Sequence, residues 1–199
     1  MTDEKKETTC EVEVFDSERL KNPLLAAVFA WLVPGLGHWY QGRKPKAVLF
    51  FTCIMSIFLF GCYMGSDREY GPARVVYSCW NWDKGEQRLF FIPQAFIGIA
   101  AIPAYLQARR VEQGYPPLFY GFMAPPNSRD ANLPEGNPTF NQLISRLHRY
   151  FEVGTIYTVI AGFMNILVVF DAISGPVFER DSKKESKNNV DKTNEEKGA

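Results

Sequence analysis

Few side chains in this sequence have a type and spacing that could do chemistry. His38 stands in the run Gly37-His38-Trp39-Tyr40-Gln41, where an imidazole could relay a proton or bind a metal. The other histidine, His148, is far away, and no acid cluster lies beside either one in the chain, so His38 reads as an interfacial histidine among aromatic rings. The cysteines Cys10, Cys53, Cys62 and Cys79 show no CxxC or Cys/His spacing, so no metal site and no cofactor is expected. No GxSxG serine, Cys/His nucleophile or phosphate loop is present, and the sequence points away from an enzyme. Trp80 and Trp82 could stack a ligand or a base, but read more simply as interface anchors. Gln94 and Asn165 are amides inside apolar runs, and a hydrogen bond between their two helices is the expected use of both.

These residues need elements to carry them, and hydropathy supplies the elements. With 22 basic and 22 acidic side chains the net charge is zero, which gives no electrostatic reason for a nucleic-acid partner. Four runs contain no Asp, Glu, Lys or Arg: Asn22 to Gly42, Ala47 to Ser66, Leu89 to Ala108 and Val153 to Phe170. Each is about the length that crosses a hydrocarbon core of roughly 30 Å at 1.5 Å per residue. A soluble helix of ~18 residues would carry a polar stripe, and none of the four does. The expectation is an all-α integral membrane protein of about four transmembrane helices, with three spans and a re-entrant segment as the alternative.

The hairpin formed by the first two runs carries the most specific motif. Pro34, Gly35, Gly37, Tyr40 and Gly42 read PGxGxxYxG, and the cations Arg43, Lys44 and Lys46 follow before the second run. Pro34 removes a backbone donor, and Gly42 permits the positive φ of a tight reversal. This pattern resembles the TM-two domain and related small bacterial membrane families. The resemblance implies a multi-pass protein of the cell (inner) membrane built on a helical hairpin, and carries no common reaction.

The boundaries follow from these signals: 1–21 an acidic flexible tail without a signal-peptide core, 22–65 the hairpin, 66–88 a loop, 89–108 a third span, 109–151 a Pro-rich loop and an interfacial amphipathic helix, 152–174 the fourth span, and 175–199 a charged disordered tail. Asn137 is expected to cap the amphipathic helix, with Pro138 opening it. Ala26 with Ala30, and Gly154 with Thr158 and Gly162, form small-residue faces for close helix contact. Cys62 and Cys79 fall on one side of the membrane, where a disulfide would close an 18-residue loop and contribute about 3 kcal/mol. The base distribution favours a cytoplasmic hairpin turn and Pro-rich loop with both tails outside. The expected partners are the lipid bilayer and a membrane-protein partner or a second copy, and the expected role is that of a scaffold or accessory subunit. Breaks at Pro34, Pro93 and Pro103 motivate the alternative, a small transporter or channel component.

Overall fold

The computed structural model describes residues 22–81, 86–127 and 137–174, and backbone only for 80, 81, 86 and 87; Cys10, Trp82 and the two expected tails lie outside the described residues. The described chain is helical apart from a ladder of two residues a side, β1 (Trp80–Asn81) with β2 (Glu86–Gln87). Its frame is an antiparallel pair of long helices, α3 (Lys44–Met64) and α7 (Arg149–Ser174), the two that are long and apolar enough to cross a membrane. They meet through backbone: a Cβ on Gly61 would stand 2.9 Å from the Gly154 carbonyl oxygen, and one on Gly154 2.7 Å from that of Gly61. The small-residue face of α7 is therefore filled from within the chain.

The first apolar run is not one helix. α1 (Pro23–Leu32) stops after ten residues, about 15 Å and half of a span, and α2 (Leu36–Tyr40) follows a reversal. Pro34 cannot donate there, and Gly35 takes φ +82 with its Cα so close to α3 that a Cβ would sit 2.3 Å from the Ala47 carbonyl oxygen. α1 runs antiparallel to α7: Ala26 and Ala30 cluster with Ala172, and the Trp31 carbonyl reaches Asn165. α2 then returns, with Gly37 against the Ala26 carbonyl and the Gln41 side chain on the Ala172 carbonyl. The segment leaves from and comes back to the C-terminal end of α7.

The expected third span is likewise broken, into α4 (Phe91–Ala95), a 3-10 turn (Gly98–Ala101) and α5 (Ile102–Glu112). Pro93 and Pro103 sit in first turns, where the missing N–H costs nothing. The reversal is instead at Gly98, φ +78, where a Cβ would lie 2.1 Å from the Trp31 oxygen and 2.4 Å from that of Leu32. α4 runs alongside α7, with the Pro93 carbonyl packed on Gly162. The chain then turns back: Gln107 bonds both backbone groups of Leu118, and the Met123 amide donates to Pro72 beyond the end of α3. This second hairpin begins and ends at the N-terminal end of α7. The two hairpins enter from opposite ends of the α3–α7 pair and touch tip to tip. The hairpin turn at Arg43 and the Pro-rich stretch around Pro116 are thus at opposite ends, where the sequence reading put them on one side.

α6 (Phe140–Leu147) is the amphipathic helix, burying Leu143 and Leu147. Its cap is Thr139, in a capping box with Gln142. Asn137 is used otherwise: its side chain accepts from the Arg74 guanidinium at 2.8 Å and donates to the Pro125 carbonyl. Arg74 is 1% exposed and also donates to the Tyr70 and Ala124 carbonyls, tying together the loops at that end. Burial lowers its guanidinium to about 10.

Candidate functional site

Three of the buried polar side chains, Thr155, Thr158 and Asn165, share one face of α7, and Asp171 lies near its C-terminal end, turned about 120° from Asn165 around the helix. At its N-terminal end Arg88 donates to the Val75 carbonyl at 2.8 Å and to Thr155 Oγ1 at 3.2 Å, and its guanidinium lies 3.9 Å over the Tyr77 ring. Burial pushes the Arg88 guanidinium below its usual range. One turn on, Gln94 Nε2 donates to Thr158 Oγ1 at 2.7 Å and, at 3.3 Å, to the Val75 carbonyl.

Asn165 comes next and sits at the junction of the two hairpins. Its Nδ2 donates to the Phe96 carbonyl at 2.7 Å, from the end of α4, and to the Trp31 carbonyl at 3.4 Å, from the end of α1. The expected Gln94 to Asn165 bond is not formed: Gln94 bonds the Thr158 hydroxyl and the Val75 carbonyl, while Asn165 bonds carbonyls at the ends of two short helices. Both side chains are fully buried.

At the C-terminal end of α7 stands a pair that sequence reasoning missed. His38 Nε2 donates to Asp171 Oδ2 at 2.6 Å across 133 positions of sequence, and Arg43 Nη2 approaches the same oxygen at 3.6 Å. His38 is completely buried with its ring edge on Phe50, while the Asp171 side chain is 37% exposed. The PGxGxxYxG motif explains the geometry: Gly35 and Gly37 let α2 press on α3 and α1, which places His38 inward one residue before the exposed Trp39. The signals were Asp171 at the end of its apolar run and Arg43 in the turn, but nothing local tied them together.

From Thr155 to Asp171 this series covers about 24 Å of helix at 1.5 Å per residue. It also collects unsatisfied groups. The buried side-chain atoms without a hydrogen-bond partner among the described residues are Arg88 Nε, Gln94 Oε1, Asn165 Oδ1, His38 Nδ1, Gln41 Oε1 and Arg43 Nη1. Every one belongs to a side chain that is on α7 or is bonded or ion-paired to it. Among the described residues no group of three His, Cys, Asp or Glu could hold a metal, and no disulfide joins Cys62, which is buried, to Cys79, which is half-buried.

These features define an all-helical protein in which two long apolar helices clamp two opposed helical hairpins around a polar seam. Residues 25–185 match the DUF6677 family, a family of unknown function, and the chain belongs to it. No curated protein and no solved structure matches the chain.

Proposed function

We propose that this is a multi-pass protein of the cell membrane, with two full spans and two re-entrant hairpins, that passes a small polar solute or ion along the buried face of α7. The membrane part rests on which side the apolar groups face. Only 28% of the apolar stretch of α3 and 39% of that of α7 is buried, and Leu59, Phe60, Phe163, Leu167 and Phe170 point outward, which supports lipid-facing helices over core helices of a water-soluble fold. The transport part rests on one observation: the buried polar atoms without a partner among the described residues belong to Asn165 on α7 and to side chains that contact α7 at Thr155, at Thr158 and, for three of the six, at its C-terminal end around Asp171 and Ala172. Broken helices whose ends meet inside a bundle are where transport proteins place their sites. The His38–Asp171–Arg43 cluster closes this series at one end, and Arg88 with Thr155 closes it at the other.

A scaffold role draws its support from small-residue faces, and here those faces are occupied from within: Gly154 and Thr158 by Gly61, Gly162 by Pro93, Ala26 and Ala30 by Gly37. The transport reading is therefore preferred. Two experiments test it. Lys44→Cys and Tyr115→Cys, both at exposed positions, should label from opposite sides of the membrane, whereas four spans would put them on the same side. Proteoliposomes challenged with urea, glycerol, NaCl and KCl should recover volume faster than protein-free vesicles for at least one of these solutes. Recovery at the protein-free rate for all four would overturn the transport reading.

A further inference from the structure

The junction at Asn165 has a chemistry of its own. It gathers the Trp31 and Leu32 carbonyls, at the C-terminal end of α1, with the Phe96 carbonyl, just past the end of α4. The carbonyls of a helix's last turn lack intrahelical donors, and the macrodipole adds negative charge there. Two of these oxygens share the single amide nitrogen of Asn165, at 2.7 and 3.4 Å. The Asn165 oxygen is itself a buried acceptor with no donor among the described residues. Gly98 completes the enclosure by placing its Cα where a side chain would strike the Trp31 and Leu32 oxygens.

We propose that this junction binds a dehydrated monovalent cation, of the size of Na⁺ or K⁺, as the species or co-species that moves along the α7 seam; in that respect the inference rests on the transport reading. The ligands are the Trp31, Leu32 and Phe96 carbonyl oxygens and Asn165 Oδ1. In the structure the Asn165 amide nitrogen plugs this oxygen-rich point. A half-turn of the amide about its last torsion exchanges Nδ2 for Oδ1, so that the oxygens converge and a cation replaces the N–H group as their common partner. The class of ion follows from the ligands. All are neutral oxygens, as in filters built from backbone carbonyls, whereas Ca²⁺ and Mg²⁺ sites rely on carboxylates. The nearest acid along the seam, Asp171, is six positions further along α7, about 9 Å.

The test uses the purified full-length protein in detergent. Thermal unfolding is followed in NaCl and in KCl against choline chloride at matched ionic strength. A site of this kind gives a saturable rise of the melting midpoint with Na⁺ or K⁺, reaching about a hundredfold in the folded-to-unfolded ratio at a hundred times Kd. Asn165→Leu should abolish the rise, and Asn165→Asp, which adds a charge in a nearly isosteric frame, should move saturation to lower cation concentration. If the wild-type midpoint in NaCl and KCl tracks choline chloride throughout, the site is wrong, and wild-type proteoliposomes that still pass urea or glycerol show that the transport reading survives it. Saturable stabilisation with no flux of any solute upholds the site and sinks transport. Saturable stabilisation that persists in Asn165→Leu, or a saturation point unchanged in Asn165→Asp, places the cation elsewhere and overturns the assignment.

Discussion

Gly98→Ala tests the contact on which the architecture turns. Two penalties apply, and a second glycine separates them. Gly98 and Gly114 have nearly the same backbone, φ +78 and φ +80, but a Cβ at Gly98 would lie 2.1 Å from the Trp31 oxygen while one at Gly114 would meet nothing within 4 Å. The left-handed conformation costs an alanine roughly 1–2 kcal/mol, offset by about 0.4–1 kcal/mol from a stiffer unfolded chain. Gly114→Ala should therefore destabilise by about 1 kcal/mol. Gly98→Ala carries the same term, and in addition the tips must part by 1.3 Å to reach ordinary contact at 3.4 Å. That movement breaks the two bonds that Asn165 makes to the tips, at about 0.5–1.5 kcal/mol each. The sum for Gly98→Ala is about 3 kcal/mol. With roughly 2–4 °C per kcal/mol for a chain of this size, the melting midpoint in detergent should fall by about 3 °C for Gly114→Ala and about 9 °C for Gly98→Ala. Equal shifts in the two variants would mean that the hairpin tips do not touch, and the opposed-hairpin arrangement would fail with them.

Further expectations follow from other contacts. Asp171→Asn weakens the bonds from His38 and Arg43; with the carboxylate partly exposed, a loss of about 1 kcal/mol is expected by thermal unfolding, together with faster vesicle volume recovery if this cluster is a closure. Arg74→Met leaves the Tyr70 and Ala124 carbonyls and the Asn137 amide oxygen without their donor inside the protein, and should cost about 3 kcal/mol or more, with new protease cleavage between residues 113 and 127. For Asp67, partial burial favours the neutral acid, but the Glu69 and Tyr70 amides and the Arg146 guanidinium outweigh it and hold the carboxyl below its usual range. A depressed carboxyl stabilises above its ordinary pKa and loses that contribution as pH falls through the folded value, so the deficit of Asp67→Asn seen at neutral pH should vanish only below about pH 3.9. No bridge joins Cys62 to Cys79, so mass spectrometry of a non-reduced digest should find no peptide pair linked through these two residues.

Much of this protein was legible in its sequence, and what escaped has a common cause. Helical class, the two long helices, the positive φ of Gly42 and the α6 amphipathic face all follow from local composition, because apolar periodicity and positive-φ glycines are local properties. A break near Pro34 and a re-entrant alternative were legible, but not that both the first and the third runs turn back instead of crossing. Twenty uncharged residues look alike whether they form one span or two half-helices, and only the tertiary approach of Gly98 to the Trp31 and Leu32 carbonyls decides between them. Pro34 marked its break correctly, whereas Pro93 and Pro103 drew attention away from Gly98, because a first-turn proline is tolerated. Thr139 displaced Asn137 as cap because Arg74, 63 positions away, claims the Asn137 side chain. Nothing local in the sequence ties His38 to Asp171, because the pairing is set by α2 folding back along α7.

Free energy gives the reason for reading the seam as one site. A buried polar group left unpaired costs about 1–3 kcal/mol, so the six such atoms along α7 would together cost roughly 6–18 kcal/mol. Whole domains are stable by only about 5–15 kcal/mol. A protein that kept this seam dry would give up most or all of its folding free energy there, and scattered packing errors would not all fall on α7 or on side chains that contact it. Groups other than the described residues must therefore satisfy these atoms, and under the transport reading proposed above exchangeable small partners take that place. The sequence of groups also restricts what moves. Arg88 and Arg43 flank a neutral middle of Gln94, Thr158 and Asn165, and the one carboxylate stands beside Arg43. On the proposed transport reading, a cation entering at that end would first meet Asp171 beside the charge of Arg43, opening of the His38–Asp171 bond would admit it, and the oxygens around Asn165 would be the first place where its lost hydration is replaced.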